Sequence, residues 1–251
     1  MVDLGLGELL LLGGAGLLAG AVNAVAGGGS LISFPALLAV GYPSVAANVT
    51  NSVALVPGYL GGSLAYREEL RGQRRRALRL GAVSVAGGLL GAVLLDLSPP
   101  GVFEAIVPFL ILFSCALLLA QPAAKRALDR RERASSGTVG AHVGSFLAAI
   151  YGGYFGAGLG IMLLAVLGLF LEEDLQRQNA LKGLLSLLIA GVAGVYFALF
   201  SPVAWAAAAV MAVTSLMGGQ LGVRLARRLS PAALRGVVIV FGVTVALVLL
   251  F

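Results

Sequence analysis

Residues 23–30 read Asn23-Ala24-Val25-Ala26-Gly27-Gly28-Gly29-Ser30, and residues 151–160 read Tyr151-Gly152-Gly153-Tyr154-Phe155-Gly156-Ala157-Gly158-Leu159-Gly160. Clustered glycines let a backbone leave helical geometry and approach another backbone or a ligand with no side chain in between. Each run is followed by a short apolar segment, 30–41 and 158–170. At 1.5 Å per residue these give about 16–20 Å of helix, less than a hydrocarbon core of about 30 Å. Each glycine run therefore reads as the tip of a re-entrant or broken helical hairpin. For a single Gly-x-Gly, close helix packing is the ordinary reading; two such runs, each ahead of a short segment, favour the hairpins.

Outward from the tips the chain is apolar almost throughout. Of its 251 residues 59% are hydrophobic and 11% charged, a balance that no soluble domain of this size can bury, so lipid must cover it. Apolar segments fall at 8–26, 30–41, 45–66, 78–95, 101–120, 139–157, 158–170, 178–199, 203–223 and 232–251. The runs are long, rich in Leu, Ala and Gly, and lack the alternation of a barrel strand, so they are helices. No Lys or Arg precedes the first run, which therefore lacks a secretory n-region and is expected to stay in the mature protein.

An offset of 131 residues brings like residues together without a gap: Gly27 and Gly29 onto Gly158 and Gly160, Asn48 onto Asn179, Ser84 onto Ser215, Gly87 and Gly88 onto Gly218 and Gly219, Pro100 onto Pro231. The chain reads as two copies of one unit, residues 1–121 and 139–251, joined by a basic linker at 122–138. Arginine then sets orientation, because basic loops stay on the cytoplasmic side. Loops 67–79, 121–138 and 224–230 are basic, whereas those near Gly41 to Ser44, Asp96 to Gly101 and Phe200 to Pro202 carry no Lys or Arg. Equivalent loops of the two copies thus have opposite character, so the copies are expected to be inserted upside down. The fold expected is an all-α, polytopic membrane helical bundle, an inverted repeat of two five-segment halves. Each half holds one hairpin and three full spans, and both termini lie outside. The net charge of +6 is assigned to topology rather than to nucleic acid.

Inverted repeats with broken helices are a recurrent plan of secondary transporters, whose substrates bind near the midplane. A half-helix starting at a glycine tip presents free N–H groups and a positive dipole end, which suit an anion. The residues expected around it are Asn23, Gly27, Gly28, Gly29 and Ser30 at the first tip and Gly156, Gly158 and Gly160 at the second. Asn48, Thr50, Asn51, Asn179 and Lys182 join them from the polar starts of the following helices. For Lys182, snorkelling to the interface and substrate contact are both open; Ser30 either caps its helix or meets substrate. His142 is assigned to the interface before a proton relay, and Glu104 to the headgroups before proton coupling. With one His, one Cys and no carboxylate cluster outside the loop Glu172, Glu173, Asp174, no hydrolytic or metal constellation is offered; neither an enzyme nor a cofactor is expected.

The Asn23 to Ser30 run followed by Pro35, Leu37 and Gly41, then Ala47 and Thr50, and the Gly156, Gly158, Gly160 set followed by Asn179, Ala180 and Lys182, resemble the sulfite exporter TauE/SafE family over nearly the whole chain. The resemblance implies transport of sulfite, sulfonates or related sulfur-containing anions across the cytoplasmic membrane. The reading taken is alternating-access transport of a small oxyanion held between the tips. An anion channel using the tips as a filter and a non-transport assembly factor are the alternatives. A homo-oligomer and a coupling proton or sodium ion stay open.

Overall fold

The computed structural model describes residues 4–25, 27–99, 101–129, 138–171, 173–225 and 231–250. Among them are ten helices: α1 (Leu6–Val25), α2 (Ser30–Ala39), α3 (Ser44–Ala65), α4 (Arg74–Asp96), α5 (Val102–Asp129), α6 (Thr138–Tyr154), α7 (Leu159–Phe170), α8 (Leu175–Phe200), α9 (Trp205–Leu225) and α10 (Pro231–Leu250). Each matches one of the apolar segments expected. Leu6–Ala24, Arg74–Asp96, Val102–Ala123 and Gln176–Phe200 are long and apolar enough to cross a membrane, and α2 and α7 are short apolar helices.

The largest departure is at the end of α5. The apolar run stops near residue 120, yet the helix continues through Pro122 to Asp129, because Ala123, Ala124, Lys125, Arg126, Ala127 and Leu128 are good helix formers whether or not lipid covers them. The first part of the expected linker is therefore helix. Its residues 130–137, and Arg227 and Arg228 of the last basic loop, lie outside the described residues.

Packing sorts the helices into two bundles that ignore chain order. In one, α1 and α3 both pack on α9; in the other, α6 and α8 both pack on α4. Small residues let the backbones touch. A Cβ on Gly20 would overlap the carbonyl of Ser215, and one on Gly218 that of Leu17; likewise Gly91 meets Ile150 and Gly153 meets Gly88. Rising residue numbers pair with rising ones, so α1 runs parallel to α9 and α6 parallel to α4. The bundles meet where α3 packs on α8. There Gly194 faces Val53 and Val56 while Gly183 faces Ser63, so these two helices run antiparallel. Each short helix packs within its own hairpin, α2 on α1 and α7 on α6, and further pairings include α5 with α10, α2 with α10, α7 with α8 and α5 with α7. Cys115 is buried on α5 against Ile239 of α10.

The ends are tied by polar contacts. Asp174 caps α8, its Oδ1 accepting from the N–H groups of Gln176 at 2.8 Å and Arg177 at 3.0 Å. At the same face Glu173 accepts from Arg76 at 2.6 Å and pairs with Arg177 at 2.8 Å, tying α4 to α8. At the opposite face Asp96 accepts from Tyr196 at 3.0 Å and Ser201 at 3.4 Å.

Candidate functional site

The first hairpin turns at Gly27, whose φ of +83° lies in the left-handed region open to glycine; its N–H donates to the Val22 carbonyl at 3.0 Å. Asn23 then bridges the turn, its Oδ1 accepting from the Gly29 N–H at 2.7 Å. The second hairpin uses the same cap: Gly156, at φ +82°, donates to Tyr151 at 3.2 Å, and Gly158, at φ +79°, precedes α7 as Gly29 precedes α2. The matching residues are Gly27 with Gly156 and Gly29 with Gly158, each pair 129 apart (156 − 27; 158 − 29). The offset of 131 thus slips by two in the hairpins, because α7 has 12 residues and α2 has 10.

The tips meet. An ideal Cβ on Gly27 would lie 2.7 Å from the Gly160 Cα, and one on Gly160 would lie 2.8 Å from the Gly27 Cα, so the two backbones cross in contact. Much of the donor capacity at the start of α2 is spent locally: Gly29 serves Asn23, Leu31 the Gly28 carbonyl, and Ile32 and Ser33 the Gly29 carbonyl. Ser30 does not cap α2. At the second tip the Ala157 carbonyl accepts from Ser114 at 2.9 Å and Tyr151 at 2.7 Å. The Gly160 N–H, in the first turn of α7, has no backbone partner among the described residues.

The polar start of α3 is used for closure. Asn48 donates through Nδ2 to the Tyr154 carbonyl at 2.9 Å, Thr50 accepts from the Ala204 N–H at 2.9 Å, and Asn51 accepts from Ser33. These three side chains fasten the second tip, the start of α9 and α2 around the end of α3 that lies away from the arginines.

At the other end of α3 a small cavity lies beside the tip crossing. It encloses about 20 Å³, room for a single water, between Asn23, Gly160, Asn179 and Lys182 from the expected set and Ser63 and Ser186, which sequence reasoning missed. Lys182 is 4% exposed, and among the described residues its ammonium makes no ion pair or hydrogen bond. The hydroxyls of Ser63 and Ser186 are buried and have no hydrogen-bond partner among the described residues. The structure therefore gathers four of the thirteen expected residues around one pocket. Gly27 lies at its edge through Gly160, while Gly28 packs on Leu118. Ser30, Asn48, Thr50, Asn51, Gly156 and Gly158 do not line it. Only the small, hydroxyl-bearing character of Ser63 and Ser186 in otherwise apolar helices could have marked them, Ser63 directly after Gly61 and Gly62 and Ser186 one helical turn after Lys182. Glu104 lines a separate depression of about 290 Å³ with Asp96 at the opposite face, and His142 lies near the arginines.

A family profile described as Sulfite exporter TauE/SafE matches residues 12–249. The chain belongs to this family. Similar proteins include a "Probable membrane transporter protein" of Haemophilus influenzae, 30% identical over 246 residues covering 95% of this chain and 93% of the relative. "Probable membrane transporter protein ORF9" of a Sinorhizobium species is 28% identical, covering 100% and 95%. "Probable membrane transporter protein YfcA" of Escherichia coli is 26% identical, covering 94% and 87%. A member of the sulfite exporter TauE/SafE family with apolar helices long enough to cross a bilayer is a membrane transport protein. Its crossed tips and buried lysine sit in the part of the chain the family profile covers.

Proposed function

We propose that this protein is a secondary carrier for a small oxyanion, sulfite or a small sulfonate, bound by Lys182, Asn179, Ser63 and Ser186 beside the tip crossing. The carrying observation is the unpaired, buried ammonium of Lys182. Placing a lysine at the centre of a membrane helix costs about 2.5–3.5 kcal/mol on insertion scales, and such residues pair or mark a solute pathway. Here the free partners within the cavity are hydroxyls and an amide that stabilise an anion already neutralised by the lysine. Substrate supplies the missing negative charge. A four-atom oxyanion exceeds a single-water cavity, so the site must widen to load.

Widening follows from how the bundles meet. The antiparallel course of α3 and α8, the parallel course of α1 with α9 and of α6 with α4, and the shared tip caps support an inverted repeat of residues 1–121 and 139–251. Under that reading the rocking bodies are the two mixed bundles, α1–α3–α9 and α6–α4–α8, rather than the repeats themselves. They part along the α3–α8 seam, which lines the cavity. Positive charge retention places the arginine-bearing face in the cytoplasm and both termini outside, with the protein in the cytoplasmic membrane. The face fastened by Asn48, Thr50 and Asn51 is then the closed outer side.

The test is flux of sulfite and small sulfonates into proteoliposomes. Wild type is expected to exceed protein-free liposomes and to saturate, Lys182→Gln to lose at least about 90% of the flux, and Ser63→Ala and Ser186→Ala each to raise KM about tenfold, the loss of one hydrogen bond to a charged group. Unchanged flux in Lys182→Gln removes the site. Flux of other anions alone removes the sulfur-oxyanion assignment, and current that rises with voltage without saturation makes the protein a channel.

A further inference from the structure

A second depression opens at the arginine face, between the start of α4, the start of α6 and the α7–α8 connection, and encloses about 350 Å³. That volume is within the range of small-molecule pockets, roughly 300–1,000 Å³. Among the described residues three arginines, Arg75, Arg76 and Arg79, line it against one carboxylate, Glu173. Glu173 is occupied by Arg76 and Arg177. Arg75 and Arg79, four residues apart on one face of α4, make no ion pair or hydrogen bond among the described residues. Like charges at this spacing repel, and these stand in the first turns of a helix whose N-terminal dipole is itself positive, with no acidic residue there to offset it. Among the described lining residues positive charge therefore exceeds negative, which favours an anion.

The other lining groups narrow the ligand. Gln73, 3% exposed, is spent on the protein itself, donating through Nε2 to the carbonyls of Glu69 at 2.9 Å and Arg177 at 3.2 Å. His142 contacts the Thr138 carbonyl through Nδ1 at 2.6 Å; a carbonyl only accepts, so Nδ1 carries the hydrogen and Nε2 is left for another partner. Leu80, Phe170 and Leu171 make an apolar wall. A ligand that fits this lining has a phosphate for the two arginines, a hydroxyl to donate to His142 Nε2 and an apolar body for the wall.

We propose that this depression binds a phosphate ester, as the hydroxyl-bearing headgroup of an anionic phospholipid whose acyl chain starts along Phe170 and Leu171. The site is separate from the cavity at Lys182 and does not depend on what that cavity transports. The experiment compares the full chain in nanodiscs of phosphatidylcholine alone and of phosphatidylcholine with phosphatidylglycerol, reading thermal unfolding and lipid retained in native mass spectrometry. Phosphatidylglycerol is expected to raise the unfolding temperature of wild type and to stay bound. Arg75→Gln with Arg79→Gln is expected to retain it about 30-fold more weakly, the effect of two interfacial charges. Lys182→Gln, and a control removing two charges outside the pocket, Arg71→Gln with Arg74→Gln, should bind it as wild type does. Equal retention by the Arg75/Arg79 variant, or equal loss in the control, overturns the proposal. If inorganic phosphate in phosphatidylcholine alone gives the same Arg75- and Arg79-dependent stabilisation, the lipid assignment is overturned in favour of a soluble phosphate.

Discussion

Alanine at Gly27 and alanine at Gly160 are unequal insults although the two glycines touch. At Gly160 the new methyl meets the Gly27 backbone at 2.8 Å and the crossing must shift, a packing cost of about 1–3 kcal/mol. Gly27 carries the same overlap, at 2.7 Å, and adds a φ of +83° that a side chain tolerates poorly, about another 1–3 kcal/mol. Thermal unfolding in detergent should therefore rank wild type above Gly160→Ala and Gly160→Ala above Gly27→Ala; the reverse order would mean the tips do not cross as described. At this scale the sequence was legible in residue type but not in partner. Asn23, Asn48, Thr50 and Asn51 are polar groups that a membrane segment must satisfy, which is evident from composition. That Asn23 serves its own tip while Asn48 serves the other tip depends on how the hairpins lie, and no local pattern encodes it.

The helices themselves were legible to within a few residues, because hydrophobicity over about 20 residues is the property lipid selects. Two things at this scale were not. Helix α5 continues past its apolar stretch on helix propensity alone, and α7 exceeds α2 by two residues, which an ungapped comparison of the halves conceals. Capping is a local signal and can be tested locally. Asp174→Ala removes both acceptor contacts at the start of α8 and should cost about 1 kcal/mol, a fall of about 2–4 °C in unfolding temperature for a chain of this size. Asp174→Asn keeps an acceptor and should lie close to wild type; a loss as large as that of alanine would assign the effect to charge instead.

At the scale of the molecule the two bundles predict where motion is allowed. Cysteines at Val53 and Gly194 span the α3–α8 seam, where an ideal Cβ on Gly194 is 3.7 Å from the Val53 Cα. With Cys115 replaced, oxidation of this pair should stop transport and reduction restore it. Cysteines at Gly13 and Thr214, where the ideal Gly13 Cβ is 3.7 Å from the Thr214 Cγ2, join α1 to α9 within one bundle and should leave flux unchanged on oxidation. If the second pair blocks and the first does not, the moving bodies have been misassigned.

The shared bundles also bear on how the protein is made. Helices α1 and α3 are complete once Ala65 has been synthesised, but the α9 surface that covers their glycine faces begins at Trp205, 140 residues later (205 − 65). At the usual 5–20 residues per second the ribosome needs about 7–28 s to deliver it. For that interval the nascent chain holds bare, backbone-exposing helix faces in the bilayer, the kind of surface that membrane chaperones and quality-control proteases recognise. Chains stalled before α9 should be degraded faster than chains stalled after it.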